Sequence, residues 1–134
     1  LGKDNLFKPP FRPFLNWVGI IPVHRDSAHG LTHEVVSTIQ QTDKIWIGMA
    51  PEGTRKHATK LKSGFYHIAY DAGIPIVMFA FDYEYKTIHC LGTFHPTGDY
   101  DVDLDKIMQR YVGHFSPRNA DWLAEPLQKL MKNR

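Results

Sequence analysis

The stretch Ile45-Trp46-Ile47-Gly48-Met49-Ala50-Pro51-Glu52-Gly53-Thr54-Arg55-Lys56 joins an apolar half to a charged half. The apolar half has strand length and ends at a Pro/Gly turn, the pattern of a buried strand. Directly after it come a carboxylate, a glycine, a hydroxyl and two cations. Ligand crevices in open α/β sheets lie just outside the carboxyl ends of strands. Glycine lets the backbone approach a ligand closely, and the Arg55 guanidinium offers a planar fork that matches phosphate oxygens. An anion-binding loop, with phosphate as the anion, is the chemistry these residues point to.

Working outward, the chain alternates between two periodicities. Gly19 to Val23 is a short apolar strand leading into His24-Arg25-Asp26. Leu31, Val35, Val36 and Ile39 form a helical stripe within Ser27–Thr42, and Phe65, Ile68, Ala69 and Ala72 form a second one, stopped by Gly73. Ile74 to Phe81 is continuously apolar, as expected of a strand buried on both faces of a parallel sheet. Lys86–Leu91 and Gly92–His95 read as further strands, antiparallel at an edge, followed by a turn at Pro96-Thr97-Gly98-Asp99. Asp101 or Asp103 is placed to cap a helix carrying Ile107, Met108, Tyr111, Val112 and Phe115. Trp122, Leu123, Leu127, Leu130 and Met131 mark a last helical segment, with Pro126 as a kink or in its first turn. The fold class these elements predict is α/β, a mainly parallel or mixed sheet flanked by helices.

Composition narrows the function. The chain has 134 residues, enough for one domain with its own core, and its 43% hydrophobic and 22% charged content is that of a globular protein. A net charge of +2 gives no general polyanion signal, so no nucleic-acid partner is expected. The single cysteine, Cys90, excludes an internal disulfide and reads as an inert packed thiol in an apolar run. No stretch approaches the eighteen or so apolar residues of a spanning helix. Residues 1–18 mix Phe7, Phe11, Phe14 and Trp17 with Lys3, Lys8 and Arg12. Two readings stand for them: an interfacial segment on an anionic membrane, or a loop whose rings pack on the core.

Two rival chemistries fail on spacing. His29 and His33 lie four apart on one helix face, but Glu34 follows the second histidine and is not enclosed by the pair. A solvated face is therefore expected there and no metal site. Gly48 to Gly53 has the glycine spacing of a nucleotide phosphate loop, yet Thr54-Arg55 stands where that loop needs lysine and then Ser/Thr.

The pentapeptide Pro51-Glu52-Gly53-Thr54-Arg55 resembles the signature of the glycerolipid acyltransferases of the 1-acylglycerol-3-phosphate (lysophosphatidate) type. Neighbouring blocks in the same order resemble that family too: Gly2-Lys3 with Leu6-Phe7, Gly19-Ile20-Ile21-Pro22-Val23-His24-Arg25, Lys62-Ser63-Gly64-Phe65 and Gly73-Ile74-Pro75-Ile76-Val77. The similarity runs from Gly2 to about Phe81. It implies transfer of a fatty acyl group from acyl-CoA or acyl carrier protein to a hydroxyl of a phosphate-bearing glycerolipid, with no bound cofactor. It implies an acceptor phosphate site of Lys3, Arg25, Glu52, Gly53, Thr54 and Arg55, supported by Lys62. Glu52, flanked by cations, is expected to stay ionised and to orient Arg55 or a loop backbone group. A membrane surface is implied as a partner, with the protein cytoplasmic and peripheral on the cytoplasmic face.

The family's histidine and aspartate, with four residues between them, supply its base. No such pair occurs here: His67 and Asp71, and His95 and Asp99, each have three residues between them. Residues 1–134 are thus expected to be a single acyltransferase-like domain, incomplete at its N-terminus and inactive alone. The alternative is a non-catalytic phospholipid- or phosphate-binding module that keeps the anion site.

Overall fold

A computed structural model of the chain describes residues 2–3, 9–17, 22–23, 28–52 and 58–132. The chain divides into two units, Leu1–Met49 and Ala50–Arg134.

In the first unit, two short strands, β1 (Gly2–Lys3) and β2 (Pro22–Val23), pair in parallel, with Gly2 opposite Pro22 and Lys3 opposite Val23. Between them lies α1 (Arg12–Trp17), a short helix with Pro13 in its first turn, where proline's missing N–H would be unpaired anyway. Helix α2 (Ala28–Gln40) buries Val35 and Ile39, two of the four residues of the sequence stripe. The apolar run Ile45–Ala50 departs from expectation. It is not a strand, and Trp46 is 84% exposed. A strand exists only through a hydrogen-bonded neighbour, and this run joins no ladder among the described residues.

The second unit holds the larger core. Helix α3 (Gly64–Ala72) ends where predicted, at Gly73, whose left-handed φ of 66° directs its N–H back to the carbonyls of Ala69 and Tyr70. Strands β3 (Ile76–Asp82) and β4 (Thr87–Phe94) form an antiparallel hairpin, from Asp82 opposite Thr87 to Ile76 opposite Phe94. The register slips once. Between the pairs Val77–Thr93 and Phe79–Cys90, Met78 alone faces Leu91 and Gly92, a bulge that divides β4 where the sequence suggested two strands. The other edge of β3 carries a parallel bridge between Asp82 and Ser116.

Met78, Phe94 and Ile107 form the buried cluster, with Phe65, Ile76, Leu91 and Tyr111 packed against it. Ile107 and Tyr111 come from α4 (Tyr100–Tyr111) and Phe65 from α3, so helices and hairpin share one face of the sheet. The opposite face of β3 is open: Phe79 and Phe81 are exposed while Met78 and Ala80 are buried. The expectation of burial on both faces is corrected accordingly. Antiparallel hairpins bury one face readily, because side chains alternate with a period of two. Cys90, opposite Phe79, shares the open face and is exposed, contrary to the packed thiol expected.

The α4 cap also differs. Asp99, and neither Asp101 nor Asp103, accepts the Val102 N–H at 3.2 Å. After a short 3-10 turn at Ala120–Trp122, α5 (Glu125–Lys132) carries Pro126 in its first turn. The last helix therefore starts later than the aromatic at Trp122 suggested, and that ring is exposed. Among the described residues no helix is long and apolar enough to cross a membrane.

Candidate functional site: the loop from Pro51 to Lys62

The charged half of the signature stretch is built on a hydrogen-bonded base. The Lys62 N–H donates to the Pro51 carbonyl at 2.8 Å, which closes residues 51 to 62 into a loop immediately before α3. Ser63 and Gly64 then start the helix, so the Lys62-Ser63-Gly64-Phe65 block is the joint between loop and α3. The Lys62 side chain is exposed.

Glu52 is half-buried, and its Oε1 accepts the Ala124 N–H at 3.1 Å. The Ala58 carbonyl accepts the next amide, Glu125 N–H, at 2.9 Å. Together these bonds satisfy the opening of α5. Glu125 has lost its free donor to Ala58, Pro126 has none, and Leu127 and Gln128 both donate to the Ala124 carbonyl. The backbone group that Glu52 engages belongs to Ala124, outside the loop. That partner was out of reach of sequence reasoning, because Ala124 lies far along the chain and alanine carries no chemical signal.

Gly53, Thr54 and Arg55, expected in the phosphate site, and Arg25, expected beside it, lie outside the described residues. Lys3 is placed through its backbone only, in β1 of the first unit, while Glu52 and Lys62 belong to the second. The register of β1 on β2 sets Lys3 opposite Val23, two residues before Arg25 in sequence. Two blocks that are separate in the sequence are thus adjacent strands, aligned at their carboxyl ends.

Two polar clusters in the second unit escaped the sequence reading. In the first, the Tyr66 hydroxyl donates to Asp103 Oδ2 at 2.8 Å and accepts the Gly98 N–H at 2.9 Å. Thr97 adds its N–H and its hydroxyl to the same carboxylate oxygen, at 2.6 and 2.9 Å. Burial pushes the Asp103 carboxyl up, but these hydrogen bonds and the nearby Lys106 outweigh it and hold the group below its ordinary value. Burial, reinforced by the bond to Asp103, pushes the Tyr66 phenol up. Gly98 has φ of 105°, and a Cβ there would meet the Tyr70 hydroxyl at 3.1 Å, so this turn requires glycine.

In the second cluster, the Ser116 hydroxyl donates to Asp82 Oδ1 at 2.5 Å and accepts the Glu84 N–H at 2.7 Å. His89 Nε2 lies 3.9 Å from Asp82 Oδ2, and the His89 and His114 rings are 5.5 Å apart. These groups do not form a hydrolytic triad. The Ser116 proton is given to a carboxylate, with no imidazole among the described residues placed to take it, so the cluster closes the hairpin. Among the described residues no group of three or more His, Cys, Asp or Glu is arranged to hold a metal ion. A cavity of about 520 Å³ is lined by Tyr83, Glu84, Ser116, Pro117, Arg118 and Met131, among others, and neither Glu52 nor Lys62 contributes to its wall.

Comparison with known proteins places the loop in a family. The Acyltransferase family model matches residues 1–82, which contain the signature pentapeptide and all its companion blocks. The chain is 38% identical over 84 residues to 1-acyl-sn-glycerol-3-phosphate acyltransferase of Escherichia coli, covering 58% of this chain and 34% of that protein. It is 37% identical over 84 residues to the Haemophilus influenzae protein of the same name, covering 58% of this chain and 35% of that one. The chain therefore spans about a third of the length of these relatives. No solved structure matches it. The family model takes in well over half of the sequence and ends at the last residue of β3, so on this ground the chain belongs to the Acyltransferase family.

Proposed function

We propose that the protein takes part in O-acyl transfer to a phosphate-bearing glycerolipid such as lysophosphatidate, and that the loop from Pro51 to Lys62 holds the acceptor phosphate. The observation that carries this reading is the loop itself. A signature rich in cations is closed by the Lys62–Pro51 bond, and its one carboxylate is engaged by the Ala124 N–H. Glu52 is thereby drawn to the backbone, which leaves Arg55 as the loop's recognition group for an anion.

In the transfer, the acceptor hydroxyl oxygen attacks the thioester carbonyl of acyl-CoA or an acyl carrier protein. A carbon–oxygen bond forms, the carbon–sulfur bond breaks, and the hydroxyl proton passes through a base to the departing thiolate. The histidine of the family's His–Asp block would be that base. Arg55, with Gly53 and Thr54 shaping the loop, would position the acceptor so that its hydroxyl meets the donor in line. Arg25 and Lys3 are further candidate phosphate contacts, and Lys62 a supporting one.

On this reading residues 1–134 are one acyltransferase-like domain with a mainly parallel or mixed sheet. The parallel pairing of β1 with β2 and the parallel bridge of Asp82 to Ser116 support that sheet. The protein acts peripherally at the cytoplasmic face of a membrane, where its acceptor resides.

Calorimetric titration of lysophosphatidate and of the matching monoacylglycerol tests the acceptor reading. Binding that requires the phosphate, and that Arg55→Ala weakens, supports it. Equal affinity for both lipids overturns it.

A further inference from the structure

We propose that Glu52 is a positioning residue of the acceptor loop, acting through the backbone of Ala124, and that the start of α5 is thereby part of the acceptor site's frame. This inference rests on the proposed acceptor function of the loop and extends it beyond residues 1–82, where the family similarity lies. Three backbone-directed bonds carry it. Lys62 N–H to Pro51 C=O closes the loop at its base. Glu52 Oε1 takes the Ala124 N–H near one end of the loop, and Ala58 C=O takes the Glu125 N–H further along. The described residues on either side of 53–57 are thus bonded at 51–52, at 58 and at 62.

The chemistry excludes Glu52 as a direct phosphate ligand. A carboxylate beside a phosphate adds like-charge repulsion, whereas a carboxylate that accepts a backbone N–H at a helix start gains a charge-assisted bond. Ala124 is fully buried, so its N–H needs a protein partner, and Glu52 is the one it has. A side chain that satisfies a buried amide 72 positions away fixes the loop end in space. That fixation, and not the charge, is what the site takes from Glu52.

Reach and charge separate in three variants of the full chain. Glu52→Gln keeps the length and an accepting oxygen but loses the charge. Glu52→Asp keeps the charge but falls one methylene short. Glu52→Ala loses both. Two readouts are taken: hydrogen exchange at the Ala124 amide in the free protein, and lysophosphatidate affinity by calorimetry, with monoacylglycerol as the control. The expected result is that Glu52→Gln stays close to wild type in both. Glu52→Asp and Glu52→Ala should lose Ala124 protection and about tenfold in affinity, the upper scale of one lost hydrogen bond.

If Glu52→Gln falls as far as Glu52→Ala while Glu52→Asp is spared, charge is the property that matters and the inference is overturned. If Glu52→Ala frees the Ala124 amide yet binds lysophosphatidate as wild type does, α5 is no part of the frame and the inference is again overturned. A wild-type chain that does not distinguish lysophosphatidate from monoacylglycerol overturns the acceptor reading itself, a failure visible before any variant is made.

Discussion

Tyr66 and Asp103, 37 residues apart, meet through a 2.8 Å hydrogen bond that ties α3 to α4. The phenol is the hub: it gives its proton to the carboxylate and takes the Gly98 N–H from the turn before α4. Both side chains are almost wholly removed from solvent. All three hydrogen bonds to the carboxylate go to Oδ2, while the buried Oδ1 has only the Lys106 ammonium, 3.9 Å away.

Removing the Tyr66 hydroxyl is the direct test of this hub. Tyr66→Phe leaves the Gly98 N–H without its partner and takes a donor from Asp103 while keeping the ring's packing. The expected loss is about 1–3 kcal/mol in urea unfolding, the range for stranding a buried polar group. A loss near zero would mean that the network adds nothing to stability.

The same network gives stability an acid limb. Asp103 is held below its ordinary value of 3.8 in the folded chain. A carboxyl with a depressed folded value binds its proton more readily in the unfolded chain. Its contribution is therefore complete above the unfolded value and fades as pH falls through the folded one. Below about pH 4 the wild type should lose stability that Asp103→Asn never had, so their acid unfolding curves should converge. Curves that stay parallel down to pH 2 would contradict this.

Arg55 separates recognition by charge from recognition by shape. Arg55→Ala should weaken lysophosphatidate binding about ten- to hundredfold, the equivalent of one hydrogen bond between charged groups. Arg55→Lys should restore only part of this, because an ammonium keeps the charge and loses the two-pronged geometry. Titrations at fixed salt check both, since exposed cations are screened. Equal losses for monoacylglycerol, together with a lowered melting temperature, would show that Arg55 holds the loop together instead.

In the first unit, Phe11, Phe14 and Trp17 are 64%, 58% and 82% exposed, and the last two rings lie 6.2 Å apart. Of the two readings of residues 1–18, this exposure favours contact with a membrane interface over packing on the core. Replacing the three with serine should reduce co-sedimentation with anionic vesicles and leave the melting temperature unchanged. Unchanged sedimentation, or loss of folding, would favour the packed reading.

The local features of this protein were legible in its sequence because their causes are local. Helix α3 with its stop at Gly73, the stripe of α2 and the antiparallel edge hairpin each follow from residues a few positions apart. The family was legible for a similar reason: its signature and companion blocks are short, ordered strings. Tertiary structure alone decided the rest, since it depends on which distant backbone supplies a partner. Ile45–Ala50 has the residues of a strand and, among the described residues, no ladder to join. The apolar β3 is buried on one face because α3 and α4 cover only that face. Asp103, a plausible cap by position, is instead drawn inward by Tyr66 and Thr97, while Asp99 takes the cap. Glu52 finds its amide at Ala124 because the chain's return brings α5 to the loop. Periodicity and side-chain chemistry fix what a segment can offer, and only the folded chain fixes which buried donor or acceptor it must satisfy.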